Sequence, residues 1–161
     1  MKKFIRPRPK KIPMTAEGYR KLQEESESLK ASRPEAVDNL RKAREMGDLS
    51  ENGYYKAARA RLSFLDARLR RADRLIRAAL VVPRATGDRV GIGSNVNIHD
   101  GTESATYTIV GGYESDPELH TISHLSPVGK SLMGKVPGDT VEVLTPSGKR
   151  TYKILHVHNS R

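Results

Sequence analysis

The spacing of apolar residues changes once along the chain, and the change divides the chain into two parts. From Tyr55 onward, apolar residues recur at alternating intervals of three and four positions, a spacing that places them on one helix face as in a coiled-coil seam. The members of this series are Tyr55, Ala58, Leu62, Leu65, Leu69, Ala72, Ile76 and Ala79. An earlier segment has the same rhythm at Tyr19, Leu22, Leu29, Ala36, Leu40 and Ala43, with Ser26 and Arg33 as polar interruptions. Two such segments joined by a short turn predict an antiparallel helical hairpin.

The ends of the two helices are marked by short-range signals. Thr15 can cap the first helix, which is predicted from about Ala16 to Met46. Pro34 removes one backbone hydrogen bond, so a kink or a brief break is expected there. The second helix is predicted from about Ser50 to Leu80. The expected domains are a basic flexible arm at 1–13, the hairpin at 14–82, a linker at 83–89 and a second domain at 90–161.

Beyond the linker the apolar period becomes two, which is typical of strands. Ser126 and Pro127 form a cap followed by proline at the first helical position, so a short helix is predicted there. Strands are predicted around Val96 and Ile98, Tyr107 to Val110, Ile122, Val141 and Val143, and Tyr152 to Val157. The fold class is therefore α+β, a helical hairpin followed by a small twisted sheet with one short helix.

Composition narrows the possible partners. The chain has 161 residues, a formal net charge of +10 and no cysteine, which excludes disulfide and thiol chemistry. No apolar run is long enough to span a bilayer, and the basic start has no apolar core like that of a signal peptide. We expect a cytoplasmic monomer with no membrane partner. The positive charge indicates a polyanionic partner such as nucleic acid, and it also fits solubility alone.

Two carboxylates, Asp48 and Glu51, lie at the turn of the predicted hairpin. Exposed carboxylates of this kind can bind Mg²⁺ weakly or complete a metal site that another molecule supplies. The same two residues also fit a capping box at the start of the second helix. Their spacing alone leaves both interpretations open.

A basic stripe is predicted on the second helix. Lys56, Arg70 and Arg77 share one heptad position, and Arg74 is adjacent, so the stripe could follow an RNA backbone. A merely solvated surface is the alternative. It would agree with the predicted pairs Asp66–Arg70 and Asp73–Arg77, each with the acid four positions before the base.

Two sequence segments resemble the bacterial Gre transcript-cleavage factors, the GreA/GreB family. They are RPEAVDNLRKAREMGDLSENGYY at 33–55 and ISHLSPVGKSLMGK at 122–135. The resemblance implies a coiled coil followed by an FKBP-like domain that binds RNA polymerase, here at Ser126 and Pro127. It also implies that the coiled coil enters the secondary channel of the polymerase.

At the polymerase active site, the resemblance implies that Asp48 and Glu51 help to hold a second Mg²⁺ and to activate water. The resemblance implies that the polymerase then cleaves its backtracked transcript. It also implies that this protein is not itself an enzyme and has no cofactor of its own. Lys56, Arg70, Arg74 and Arg77 would contact the 3′ end of the nascent RNA. Gly53, Tyr54 and Leu125 depart from the usual family pattern.

Three other functions remain as alternatives. A channel-binding inhibitor of the polymerase would not need the retained Asp48 and Glu51. A basic coiled coil that binds nucleic acid without catalysis would bind free RNA or DNA as strongly as polymerase. A stand-alone metallonuclease is disfavoured, because the sequence shows no full set of metal ligands.

Overall fold

The computed structural model describes residues 11–46, 53–145 and 148–159. Within that part of the chain, residues 20–78 form one compact unit, here the helical unit. Residues up to Tyr19 and from Ala79 onward form the other, here the sheet unit. Among the described residues, no helix has both the length and the apolar character that crossing a membrane requires.

Two long helices have nearly the predicted bounds. Helix α1 comprises Ala16–Glu45 and helix α2 comprises Gly53–Ala78. Pro34 lies inside α1, and the helix continues through it, so the expected break is absent, while the expected kink stays a prediction. The neighbouring residues explain the continuity, because Arg33 pairs with Asp66 of α2 at 2.8 Å and Ala36 is buried. These contacts hold the helix on both sides of Pro34.

Burial along α2 follows the predicted seam. Ala58, Leu65 and Ala72 are buried, and the positions between them in the series are partly buried. On α1 the polar interruption Ser26 is itself buried, 2% exposed, and its hydroxyl donates to Asp73 Oδ1 at 3.2 Å. The seam therefore accepts a serine because a carboxylate of the other helix satisfies its hydroxyl.

Charged side chains connect the two helices and show their direction. Glu25 pairs with Arg68, Arg33 with Asp66, and Glu35 with Arg61 at 3.8 Å. Residue numbers increase along α1 while those of the paired residues decrease along α2, so the helices are antiparallel, as predicted.

A sheet of five strands forms the centre of the sheet unit, in the order β5-β4-β3-β7-β6. Only β4 and β5 are parallel among these neighbours. The elements are β3 Asn95–His99, β4 Ser104–Val110, β5 Thr121–Ser123, α3 Pro127–Leu132, β6 Thr140–Thr145 and β7 Gly148–His158. Each predicted strand is present, and so is the short helix. The core consists of Val90, Val96, Ile98, Ile109, Leu132, Val141, Val143 and Ile154.

A second, two-stranded sheet was not predicted. Strand β1, Ile12–Met14, pairs in parallel with β2, Ala79–Val81, with Ile12 opposite Ala79. The backbone N–H of Val82 extends the pairing by donating to the Met14 carbonyl at 3.0 Å. Met14 is buried at 2% exposure. Residues 12 and 13 are thus strand residues rather than part of a flexible arm, and Leu80 belongs to a strand rather than to the end of α2.

Candidate functional site

The far end of the hairpin is the site that the sequence indicates, and Asp48 and Glu51 lie outside the described residues. The helix ends on either side are described. The Arg44 guanidinium carbon lies 6.0 Å from the Tyr55 ring centroid, within the range of a cation–π contact. The segment 47–52 therefore connects two helix ends that are already in contact.

Carboxylates in the last turns of α1 are engaged by neighbouring bases. Asp38 accepts from Arg41 at 2.7 Å and pairs with Lys42 at 2.8 Å, and Glu45 pairs with Arg41 at 3.2 Å. Hydrogen bonds from Lys42 and Arg41 hold the pKa of the Asp38 carboxyl below its usual value. These acids are already neutralised by bases, and the described residues contain no cluster of three or more potential metal ligands.

Two apolar side chains are exposed beside the connection. Met46 is 71% exposed and Tyr54 is 48% exposed. Burying such surface against another molecule is favourable, whereas exposing it to water is not.

The four residues of the predicted basic stripe, Lys56, Arg70, Arg74 and Arg77, are all exposed on α2. None of them forms an ion pair with a carboxylate in the part of the chain that the structure describes. The stripe is an exposed cationic surface, which suits contact with a phosphate backbone.

Neither predicted pair along α2, Asp66–Arg70 or Asp73–Arg77, forms as a direct ion pair, although Arg70 contributes, after Arg33, to the lowered pKa of Asp66. Asp66 instead accepts from Arg33 at 2.8 Å, and its pKa is lowered by that hydrogen bond. Asp73 accepts from Ser26 at 3.2 Å and lies 3.8 Å from Lys30. Both acids point across the hairpin, a contact that spacing within one helix cannot reveal.

The basic surface of α2 extends beyond the predicted stripe. Arg59 and Arg71 are also exposed on α2, and no ion pair involves either of them among the described residues. Arg59 lies three positions after Lys56, so helical spacing could have included it in the stripe.

Ser126 and Pro127, the predicted polymerase contact, begin helix α3. The Ser126 hydroxyl accepts from the Gly129 N–H at 3.0 Å and donates to the Ser123 carbonyl at 2.8 Å. Ser126 is therefore a helix cap, as the sequence predicted. Pro127 is exposed and the neighbouring Leu125 is 66% exposed, so this end of α3 presents an apolar surface.

Comparison with known proteins identifies relatives of both parts of the chain. A family model described as "Transcription elongation factor, N-terminal" matches residues 12–81. A second model, "Transcription elongation factor, GreA/GreB, C-term", matches residues 85–159.

Whole-length relatives agree with these two matches. Transcription elongation factor GreA of a Nitratiruptor species is 44% identical over 152 residues, covering 92% of this chain and 93% of the relative. The GreA of Desulfovibrio desulfuricans is 42% identical over 150 residues, with 91% and 93% covered. A solved structure of the GreA factor homolog Gfh1 of Thermus thermophilus is 26% identical, with a TM-score of 0.45 and coverage of 92% and 99%.

Proposed function

The chain belongs to the GreA/GreB family of transcription elongation factors, and on that basis we propose that it enters the secondary channel of RNA polymerase and stimulates cleavage of backtracked RNA. The observation behind this proposal is the match of both family models, in order, over nearly the whole chain. The proposed site of action is the bacterial cytoplasm. The protein contributes ligands, and the polymerase performs the reaction.

The helical unit has the form that this task requires. Helix α1 contains 30 residues and is therefore about 45 Å long, at about 1.5 Å per residue. Its partner α2 runs back alongside it, and the connection between them contains Asp48 and Glu51. A narrow pair of helices can place this connection inside a channel too small for the sheet unit.

Asp48 and Glu51 are the proposed ligands of a Mg²⁺ ion shared with the polymerase. Mg²⁺ keeps several waters and takes one or two carboxylates together with substrate phosphate. A second metal ion can generate the attacking hydroxide in an in-line displacement at phosphorus. The cleaved bond is an internal phosphodiester of the transcript, and the product has a new 3′ end that the polymerase can extend.

Replacing the two carboxylates by amides separates this function from helix capping. Asn caps a helix about as well as Asp, and Gln can replace Glu in a capping box. The double variant Asp48→Asn with Glu51→Gln should therefore fold and bind polymerase normally. Its cleavage rate at saturating factor should fall by at least about 10–100-fold, since losing even an outer partner of a metal ligand costs that much. Raised Mg²⁺ should restore part of the rate.

A matched control variant removes two other carboxylate charges from the same hairpin. Asp38→Asn with Glu45→Gln disrupts ion pairs in the last turns of α1 and should leave cleavage close to wild type. The measurement is RNA shortening in a stalled, backtracked complex, with a thermal melt of each variant. Wild-type cleavage by the Asp48 and Glu51 variant would return these residues to the role of helix caps.

Contact with the 3′ end of the RNA is the second part of the proposal. The exposed side chains of Lys56, Arg70, Arg74 and Arg77 support it. Charge reversal at these four positions should most strongly reduce rescue of deeply backtracked complexes, which expose the longest RNA. Crosslinking from the RNA 3′ end measures the contact directly, and no adduct on α2 would leave the stripe as a solvated surface.

Docking of the sheet unit on the polymerase completes the proposal. The exposed surface at the start of α3 suggests that Leu125 and Pro127 form the contact, while the Ser126 hydroxyl holds the helix start in place.

A further inference from the structure

An aromatic side chain is exposed in the middle of α2. Phe64 is 65% exposed, although phenylalanine is among the residues most often buried. The nearest seam positions are Leu62 and Leu65, so the contact between the two helices does not account for this ring. Ala60 and Ala67, about one turn before and after Phe64, are also exposed and have short side chains. The ring is therefore open to another molecule along α2.

Two side chains fix the surroundings of the ring. The Arg68 guanidinium carbon lies over the Phe64 ring, 5.9 Å from its centroid, within the range of a cation–π contact. Arg68 is itself held by α1, because its Nε donates to Glu25 Oε1 at 3.2 Å. A side chain that is already held in place loses little conformational freedom when a partner binds to it. Phe64 is therefore prepared for a flat partner.

Free cations lie on both sides of Phe64 along α2. Lys56 comes eight residues before it and Arg71 seven residues after it, and both are exposed. In the part of the chain that the structure describes, neither of them forms an ion pair, whereas the nearer Arg61 and Arg68 pair with glutamates of α1. At about 1.5 Å per residue, the two free cations are about 12 Å and about 11 Å from Phe64 along the helix.

This arrangement fits the chemistry of a single-stranded nucleic acid. Surfaces that bind single strands combine cations for the phosphates with aromatic rings on which bases stack. The two cations are about 22 Å apart along α2, or about six nucleotides at the roughly 3.4 Å spacing of a stacked strand. The two acids of α2, Asp66 and Asp73, are engaged by residues of α1. A protein with an apolar surface would suit the ring but not this surplus of positive charge.

We propose that Phe64 is a stacking platform for one base of single-stranded RNA, between phosphate contacts at Lys56 and Arg71. This proposal rests on the proposed function, in which the hairpin meets the displaced 3′ segment of the transcript. Phosphate contacts carry no sequence information, whereas the strength of stacking differs between bases. Because a purine presents a larger face than a pyrimidine, RNA should bind more tightly when the stacked base is a purine.

Three substitutions of Phe64 separate stacking from apolar burial. Phe64→Trp keeps an aromatic face, Phe64→Leu keeps apolar volume without one, and Phe64→Ala removes both. The side chain is largely exposed, so all three variants should fold with a Tm close to that of the wild type. Tyr113→Leu is the matched control, because Tyr113 is another exposed aromatic residue, 56% exposed, and belongs to the sheet unit.

Binding of free RNA tests the platform without polymerase. The probe is a single strand of about seven nucleotides, with the fluorescent purine 2-aminopurine at its centre and uridines on both sides. Titration with full-length protein at low salt should quench the fluorescence in the wild type, Phe64→Trp and Tyr113→Leu. In Phe64→Leu and Phe64→Ala the Kd should rise about 5–150-fold, the range that stacking of one base on an aromatic ring supplies. An equal Kd for Phe64→Leu and the wild type would overturn the proposal.

Photocrosslinking locates the base in the complete complex. A backtracked transcript with 5-iodouridine at single positions near its 3′ end is irradiated in the presence of polymerase and the full-length protein. We expect an adduct at Phe64 from one position and its loss in Phe64→Leu. If adducts formed only at other residues, or if Phe64→Leu stimulated cleavage like the wild type while Phe64→Ala did not, the ring would be buried against protein and the proposal would be wrong.

These measurements keep the two proposals apart. If the wild-type protein stimulates no cleavage, the proposed function fails, while the affinities for free RNA still decide the role of Phe64. If the wild type stimulates cleavage and Phe64→Leu equals it in RNA affinity, the stacking platform alone fails.

Discussion

The two units of the molecule hold their elements together in different ways. The sheet unit has one contiguous core of large aliphatic side chains, among them Ile109, Leu132 and Ile154 with no exposed surface. The helical unit buries few residues beyond a narrow seam, and most of these are small: Ser26, Ala36, Ala43, Ala58, Leu65 and Ala72. The sheet unit is stabilised by burying large side chains. The helical unit is stabilised by the close approach of its two helices in one register.

Small residues along the seam have a direct structural effect. The distance between two packed helices depends on the side chains at their contact, and alanine permits the shorter distances. Cross-hairpin pairs such as Arg33–Asp66 and Glu25–Arg68 connect the two helices. The difference between the units is therefore one between a narrow pair of helices and a compact sheet core.

The largest stability effect is expected in the core of the sheet unit. Leu132→Ala removes a side chain with 0% exposure and should lower the free energy of unfolding by about 2–5 kcal/mol. Leu144→Ala is the control, because an 82% exposed side chain should change stability by no more than about 0.5 kcal/mol. Hydrogen exchange of the β3 and β7 amides measures both. Equal protection in the two variants would contradict the proposed core.

Enlarging a small seam residue should have the next largest effect. Ala43 has 0% exposure, and Ala43→Leu should cost about 1–3 kcal/mol by overpacking the contact between the helices. The exposed Ala57 gives a control, Ala57→Leu, since alanine and leucine differ little in helix propensity. Denaturation followed by far-UV circular dichroism compares them. If Ala43→Leu were as stable as Ala57→Leu, the seam would be looser than described.

The smallest effect is expected from an exposed cross-hairpin ion pair. The hydrogen bond from Arg33 lowers the pKa of Asp66 below its usual value of 3.8. The pair therefore stabilises the hairpin above about pH 3.8, and this contribution is lost as the pH falls through the lower folded-state pKa. Asp66→Asn should reduce the loss of helicity in that acid range.

Carboxyl NMR titration tests the cause of this pKa shift. In Arg33→Gln, the pKa of Asp66 should rise towards its usual value, whereas Arg20→Gln, which disrupts an ion pair within α1, should leave it unchanged. An unaltered Asp66 titration in Arg33→Gln would remove the ion pair as the cause.

Sequence periodicity predicted the elements whose side chains repeat regularly. The seam positions Ala58, Leu65 and Ala72 are buried as expected, and the alternating Val96 and Ile98 lie in β3. Strands β1 and β2 were missed because Ile12–Met14 lies where the predicted arm meets the hairpin, and Ala79–Val81 continues the apolar series of the second helix. Their partners are set by tertiary pairing, which a local pattern does not contain.

The candidate site divides in the same way. The exposed basic stripe could be predicted from helical spacing, and the Ser126 cap from the residues beside it. The partners of Asp66 and Asp73 could not be predicted from the sequence. Each of these acids pairs with a base of the other helix and not with the base four positions after it. The contact of Glu114 with Thr15 gives no signal in the sequence at all, since it joins a loop to a helix start 99 positions away.

The pairing of β1 with β2 has a consequence for the order of folding. It joins Ile12 to Ala79, residues on opposite sides of the whole hairpin in sequence. The entropy cost of closing a loop rises with its length, and contacts close in sequence form sooner. Zipping of α1 against α2 shortens the effective loop, so we expect the two strands to pair after the hairpin has formed. Shortening the Met14 side chain should then speed unfolding more than it slows folding.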